Sequence, residues 1–133
     1  MKISTRGRYA VRLMIELAEA KKEEFTSLSV VSEKLDVSLK YLEQIASGLT
    51  KGGLLESSRG IKGGYRLAKN PEDYTIRDIL LVTEGDLSPL PCLGSKDCHR
   101  VDACATVGMW QGLYDTITEY LGGITVLDLM KER

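Results

Sequence analysis

The sequence predicts a mainly α-helical fold with a small β wing: a winged helix-turn-helix unit followed by a long C-terminal dimerisation helix. Two capped helical segments separated only by Asp36-Val37 point to the helix-turn-helix. Two strand-like runs around the glycine-rich turn Arg59 to Gly64 point to the wing. A helix-period apolar stripe from Val107 to Leu121 points to the long helix. The expected organisation is 1–85 for the winged unit, 86–104 for a cysteine-bearing segment, and 105–133 for the dimerisation helix and a short helix that docks back.

Each element has a local cause. From Thr5 to Ala20, Tyr9, Ala10, Leu13, Met14, Leu17 and Ala18 recur at steps of three and four, leaving Arg6, Arg8 and Arg12 outside the stripe. Ser29 is the expected cap of a short helix carrying Val30, Val31 and Leu35. Ser38 caps the next helix, which runs to about Lys51 with Leu39, Leu42, Ile45, Ala46 and Leu49 inward, and Gly52-Gly53 ends it. The wing follows as Leu54 to Ser58 and Tyr65 to Ala68, its glycines supplying the positive φ of a hairpin tip. Thr75 and Asp78 have capping-box spacing ahead of Ile76, Ile79, Leu80 and Val82, and this helix stops at Gly85. Asp86 to Ala103 shows no sustained period, and an unstructured connection of that length favours a ligand-organised loop. The stripe Val107, Trp110, Leu113, Tyr114, Ile117 and Leu121 needs a covering surface, either the N-terminal unit or a second copy across a two-fold axis. Thr125 then caps a last short helix carrying Val126, Leu127, Leu129 and Met130.

Composition narrows the function. The 133 residues suffice for one domain, and no run approaches the roughly 20 apolar residues of a membrane span. Charged residues between Met1 and Val11 stand where a secretory leader needs an apolar run, so a cytoplasmic protein is expected. The net charge of -1 hides a division: residues 1–70 hold 13 Lys/Arg against 8 Asp/Glu, whereas residues 71–133 hold 5 against 11. The N-terminal half is the candidate for a polyanionic partner. No nucleophile-base pair or phosphate loop supports catalysis, so the chain is not expected to be an enzyme.

Cys92, Cys98 and Cys104 are the only cysteines, with five residues between successive members. An odd number cannot close a disulfide framework, and clustered thiols in a reducing compartment more often hold metal. Thiolates ligate zinc and iron-sulfur clusters alike, so spacing alone leaves the metal open.

Ser4-Thr5-Arg6-Gly7-Arg8-Tyr9-Ala10-Val11, Ser38-Leu39-Lys40-Tyr41-Leu42-Glu43-Gln44, Arg59-Gly60 with Gly63-Gly64-Tyr65, the three cysteines and Ile124-Thr125 together resemble the Rrf2 family of winged-helix regulators, above all its iron-sulfur-regulator branch. The resemblance covers nearly the whole chain. It implies a homodimeric transcription factor that binds a palindromic operator in double-stranded DNA and holds an iron-sulfur cluster on its loop cysteines. The cluster expected is 2Fe-2S ahead of 4Fe-4S, with zinc the minor alternative, and the signal is cluster status, redox or nitric oxide.

In such a regulator the N-terminal part of the recognition helix enters the major groove, and a two-fold dimer sets half-sites about 34 Å apart. Gln44 then suits adenine, Glu43 cytosine N4, and Lys40 guanine or a phosphate. Arg59 and Lys62 on the wing meet the minor groove or its phosphates, while Arg6, Arg8, Tyr9, Ser38 and Tyr41 contact the backbone and fix register. Tyr9 also fits the core stripe.

The metal side departs from the pattern. The iron-sulfur branch carries a histidine three residues after the third cysteine, where this chain has Val107. The nitric-oxide-sensing branch uses an aspartate at the position of Arg8. His99, the only histidine, reads as a solvated loop residue, leaving Asp97, Asp102, solvent, an exogenous thiol or the other subunit as the fourth partner. Two other readings stay open: a cofactor-free family regulator controlled by a protein partner or small molecule, and an iron-sulfur redox protein.

Overall fold

The computed structural model describes residues 2–94 and 98–133. Three helices come first: α1 (Thr5–Ala18), α2 (Leu28–Leu35) and α3 (Leu39–Lys51). Strands β1 (Leu55–Ser58) and β2 (Gly64–Leu67) form the wing, followed by α4 (Ile76–Glu84), the single-turn α5 (Pro91–Gly94), α6 (Val107–Gly122) and α7 (Val126–Lys131). The fold is therefore mainly helical with one two-stranded antiparallel sheet among the described residues.

The expected stripes make the core, with one correction: Leu39, read as inward, is exposed and lines the cleft beside the wing, because it stands at the first position of α3. Ala10, Leu13, Met14 and Leu17 of α1 meet Leu42, Ile45, Ala46 and Leu49 of α3, with Leu28, Val31, Leu55, Ile79, Leu80, Leu87 and Val126 closing around them. Each buried Leu, Ile, Val or Met side chain among them stabilises the fold by about 1.5–3 kcal/mol. Tyr74, almost wholly buried, donates its hydroxyl to the Leu54 carbonyl at 2.8 Å and accepts the Lys69 N–H at 2.7 Å, pinning the wing base to the start of α4. Burial pushes its phenol above the usual range, against the lowering effect of the Lys69 and Ala68 backbone.

Four local expectations need adjustment. The first helix ends at Ala18, not Ala20, because Lys21 onward leads out toward the wing. The cap of α2 is Ser27, whose hydroxyl accepts the Ser29 N–H at 3.3 Å, not Ser29 itself; Leu28 is a core residue and must lie inside the first turn. The wing pairs Leu55 with Leu67 through Ser58 with Gly64: β1 starts one residue later than expected, and β2 sits one residue earlier. The segment 86–103 contains the turn α5 and a short 3-10 turn, Val101–Ala103.

The wing has a further backbone partner. Thr26 and Tyr65 exchange N–H to C=O hydrogen bonds of 2.9 Å each. Gly64 makes this approach feasible: its φ is +145°, and a Cβ there would stand 2.1 Å from the Thr26 carbonyl oxygen.

Helices α4 and α7 start from a common point. Thr75 and Thr125 form an isolated antiparallel bridge, with Ile76 N–H donating to the Ile124 carbonyl at 2.9 Å and Val126 N–H to that of Tyr74 at 3.0 Å. Each threonine heads a reciprocal capping box, with Asp78 and with Asp128. Helix α7 then packs on α1, and α6 on α4.

Candidate nucleic-acid interface and cysteine segment

The turn between α2 and α3 is tight because Asp36 takes a left-handed conformation, φ 52° and ψ 49°, and the Ser32 hydroxyl donates to the Val37 carbonyl at 2.5 Å. Ser38 is exposed and its hydroxyl accepts the Tyr41 N–H at 3.1 Å, fixing the first turn of α3. With the aliphatic stripe inward, Lys40, Glu43 and Gln44 are all exposed along one edge. Among the described residues Glu43 has no basic side chain within salt-bridge distance. It borders a cleft of about 400 Å³ between α3 and the wing, together with Leu39, Ser58, Gly60 and Tyr65.

Across that cleft the wing turn is closed by the Gly63 N–H donating to the Gly60 carbonyl at 3.0 Å, and Gly60 has φ +105°. Arg59 and Lys62 are exposed on it. Arg66 is committed elsewhere: its guanidinium lies 4.3 Å from the Phe25 ring centre, pairs with Glu56 at 2.9 Å and donates to the Glu23 carbonyl at 3.2 Å.

The N-terminus of α1 adjoins α3. Tyr9, half-buried, meets Tyr41 edge-on with centroids 6.1 Å apart, and the Arg12 guanidinium sits 5.1 Å over the Tyr9 ring. Arg6 extends toward Gly48, where a Cβ would lie 3.7 Å from its Nη2, and Arg8 donates to the Thr5 hydroxyl at 3.0 Å. Ser4 caps the helix by accepting the Gly7 N–H at 3.0 Å, while its own N–H and hydroxyl donate to Glu84 Oε1 at 3.0 and 2.7 Å. A carboxylate at a helix N-terminus complements the backbone dipole. Glu84 thus ties the arginine-bearing end of α1 to the end of α4.

The cysteines follow that tie. Cys92 lies in α5 and is half-buried, as is Cys98; Cys104 is exposed between the 3-10 turn and α6. All three are free thiols. The Thr106 hydroxyl at 3.4 Å, then the Thr106 and Val107 backbone, hold the Cys104 thiol below its usual range against a small opposing effect of burial. Thiolates are the ligand form, so the donor chemistry fits a cluster, yet no three His, Cys, Asp or Glu side chains converge as a metal site among the described residues. His99 and Asp102 are exposed, Val107 opens α6, and Asp97 lies outside the described residues.

Helix α6 buries no residue fully. Met109, Leu113 and Tyr120 are exposed along it, beside half-buried Trp110 and Ile117. Its other side rests on α4, where Arg77 donates to the Thr118 carbonyl at 3.4 Å.

A capped recognition helix, a glycine-tipped wing beside it and a basic first helix define a winged-helix DNA-binding transcriptional regulator. Residues 3–132 match the family model described as Rrf2, iron-dependent transcriptional regulator, and the chain belongs to that family. It is 35% identical over 133 residues to the HTH-type transcriptional regulator IscR of Pectobacterium atrosepticum, covering all of this chain and 81% of that protein. Among solved structures it is similar to CymR, the global cysteine regulator of B. subtilis, with TM-score 0.83 and 38% identity over 100% of this chain and 98% of that one. It is also similar to T. potens IscR, with TM-score 0.78 and 36% identity over 99% of this chain and 88% of that one.

Two residues escaped the sequence reading. Glu84 pairs with Ser4 from the far end of the winged unit in sequence, and Thr26 joins the wing from the segment just before α2; no local period marks either. The helix-end position of Glu84, just before Gly85, was the available signal.

Proposed function

We propose that the protein is a cytoplasmic homodimer that reads a palindromic operator and carries an iron-sulfur cluster on Cys92, Cys98 and Cys104, 2Fe-2S ahead of 4Fe-4S. The observation that carries the DNA reading is the cleft with unpaired Glu43 on one wall and the wing turn on the other. Lys40, Glu43 and Gln44 read base edges; Arg59 and Lys62 engage the wing-side strands; Arg6, Arg8, Tyr9, Ser38 and Tyr41 hold the backbone. A carboxylate facing DNA is repelled by phosphates unless cytosine N4 satisfies it, so Glu43 sharpens choice more than it adds affinity.

Binding curves on an operator library separate these roles. Glu43→Ala is expected to flatten discrimination at one base position by about 1–3 kcal/mol, whereas Arg59→Ala weakens all sequences alike and lowers the salt slope by about one. An unchanged ranking of operators in Glu43→Ala would remove Glu43 from base readout.

A cluster supplies a centre whose assembly and loss follow iron-sulfur supply, oxidant or nitric oxide. This chain contributes the three thiols and, in Val107, an apolar residue where the iron-sulfur branch has a ligand. Iron, acid-labile sulfide and zinc analysis on protein purified without oxygen tests the assignment. Near-equal iron and sulfide support it, and zinc alone makes the segment structural. A second reading, control without a cluster by a protein partner or small molecule, draws on the full-length likeness to CymR. Absence of both metals after reconstitution, with specific DNA binding intact, selects it.

The dimer reading rests on the exposed apolar line of α6. Leu113→Lys is expected to shift the protein to monomer in sedimentation and to weaken operator binding strongly, since each half-site alone provides half the contacts. A Leu113→Lys protein that stays dimeric would place the interface elsewhere.

A further inference from the structure

The tip of the wing carries an isoleucine that touches nothing. Ile61 is 106% exposed, more than an isolated reference residue, and sits between exposed Arg59 and Lys62. A single exposed apolar side chain on a surface ordinarily needs no explanation. This one stands on a braced projection. The Gly60-to-Gly63 hydrogen bond of 3.0 Å closes the turn, and a Cβ on Gly63 would come within 2.4 Å of the Ser58 carbonyl oxygen. Behind the tip, the Thr26 to Tyr65 exchange anchors β2. The backbone therefore holds Ile61 out before any partner arrives, and little backbone conformational entropy remains to be lost on contact.

The flanks say what kind of surface fits. Cations within two residues on one side and one on the other would straddle an apolar contact. That pattern matches a minor groove, where the sugar faces and an unstacked base step offer apolar surface between two lines of phosphates. Glu23 and Glu24 border the outer flank of the tip. They would be repelled by phosphate, so the tip approaches with Arg59 and Lys62 leading and that flank turned away.

We propose that Ile61 is an apolar minor-groove contact of the operator, seated at a flexible pyrimidine-purine step outside the major-groove half-site, with Arg59 and Lys62 on the adjoining phosphates. This rests on the reading of the wing as a DNA-contacting element. An apolar contact releases no phosphate counterions, so it changes affinity without changing the salt dependence. It also reads deformability, so it favours steps that unstack readily.

The test uses the full chain on duplexes selected from a random library, with binding followed by fluorescence anisotropy between 50 and 200 mM salt. Ile61→Ser is expected to bind at least about fivefold more weakly with an unchanged salt slope, and Ile61→Leu to bind close to wild type. Repeating the selection with Ile61→Ser should erase the preference at the outer step. If Arg59→Ala lowers the slope while Ile61→Ser binds and selects as wild type, the Ile61 inference alone falls. If Arg59→Ala leaves the slope unchanged, the wing is off the DNA and both readings fall. Folding is not at issue, since Ile61 contributes no packing.

Discussion

Cys92→Ala, Cys98→Ala and Cys104→Ala, each made singly, are expected to retain on the order of tenfold less iron than the wild-type protein after anaerobic purification. A lost partner of a ligand alone typically costs 10–100-fold in metal affinity, and a lost ligand costs at least as much. With Val107 in the place of a fourth protein ligand, three thiolates leave no reserve. The same logic gives a gain: Val107→His adds an imidazole three residues after Cys104, at the mouth of α6, and is expected to slow iron loss to a chelator. Iron and sulfide content together with chelator kinetics check both. Equal iron in wild type and all three alanine variants would remove the cysteines from the site, and faster loss from Val107→His would show that position facing away from it.

Gly64→Ala is expected to destabilise the chain by about 2–4 kcal/mol and to abolish operator binding. Two costs combine there. The φ of +145° is strained for any L side chain, and the added Cβ would meet the Thr26 carbonyl oxygen at 2.1 Å, the Thr26 carbonyl carbon at 2.5 Å and the Ser27 nitrogen at 2.9 Å. All three are backbone atoms, so relief requires parting Thr26 from Tyr65 and re-aiming the wing. Gly60→Ala is the control: its φ is +105° but nothing lies within 4 Å, so only the backbone strain of about 1–3 kcal/mol applies. Urea unfolding of the two variants separates the contributions. Equal losses at both positions would show that the Thr26 contact adds nothing.

The elements themselves were legible because their causes are local. The stripes of α1, α3 and α6, the Ser38 cap, the Thr75 box, the Thr125 cap and the wing glycines each occupy a few consecutive residues. The exposed edge of α3 followed from its buried stripe. What escaped is non-local. Ser27 rather than Ser29 caps α2 because Leu28 is wanted by the core, which capping chemistry alone does not register. Thr26 reaches the wing, and Glu84 reaches Ser4, through the fold. Thiol spacing in the cysteine segment named a donor type, but spacing alone does not set how three thiols are arranged in space.

The Thr75 to Thr125 bridge bears on how this chain can vary. The chain between them leaves one socket and returns to it, sealed by two backbone hydrogen bonds of 2.9 and 3.0 Å, with α4 packed into the core on the way. The segment after α4 and α6 form a cassette between that helix and the socket. Changing its length alters mainly a closure entropy, about 0.6 kcal/mol per doubling. On the proposed reading, the detecting part can therefore change, or lose its metal ligands, while the DNA-facing half keeps its register.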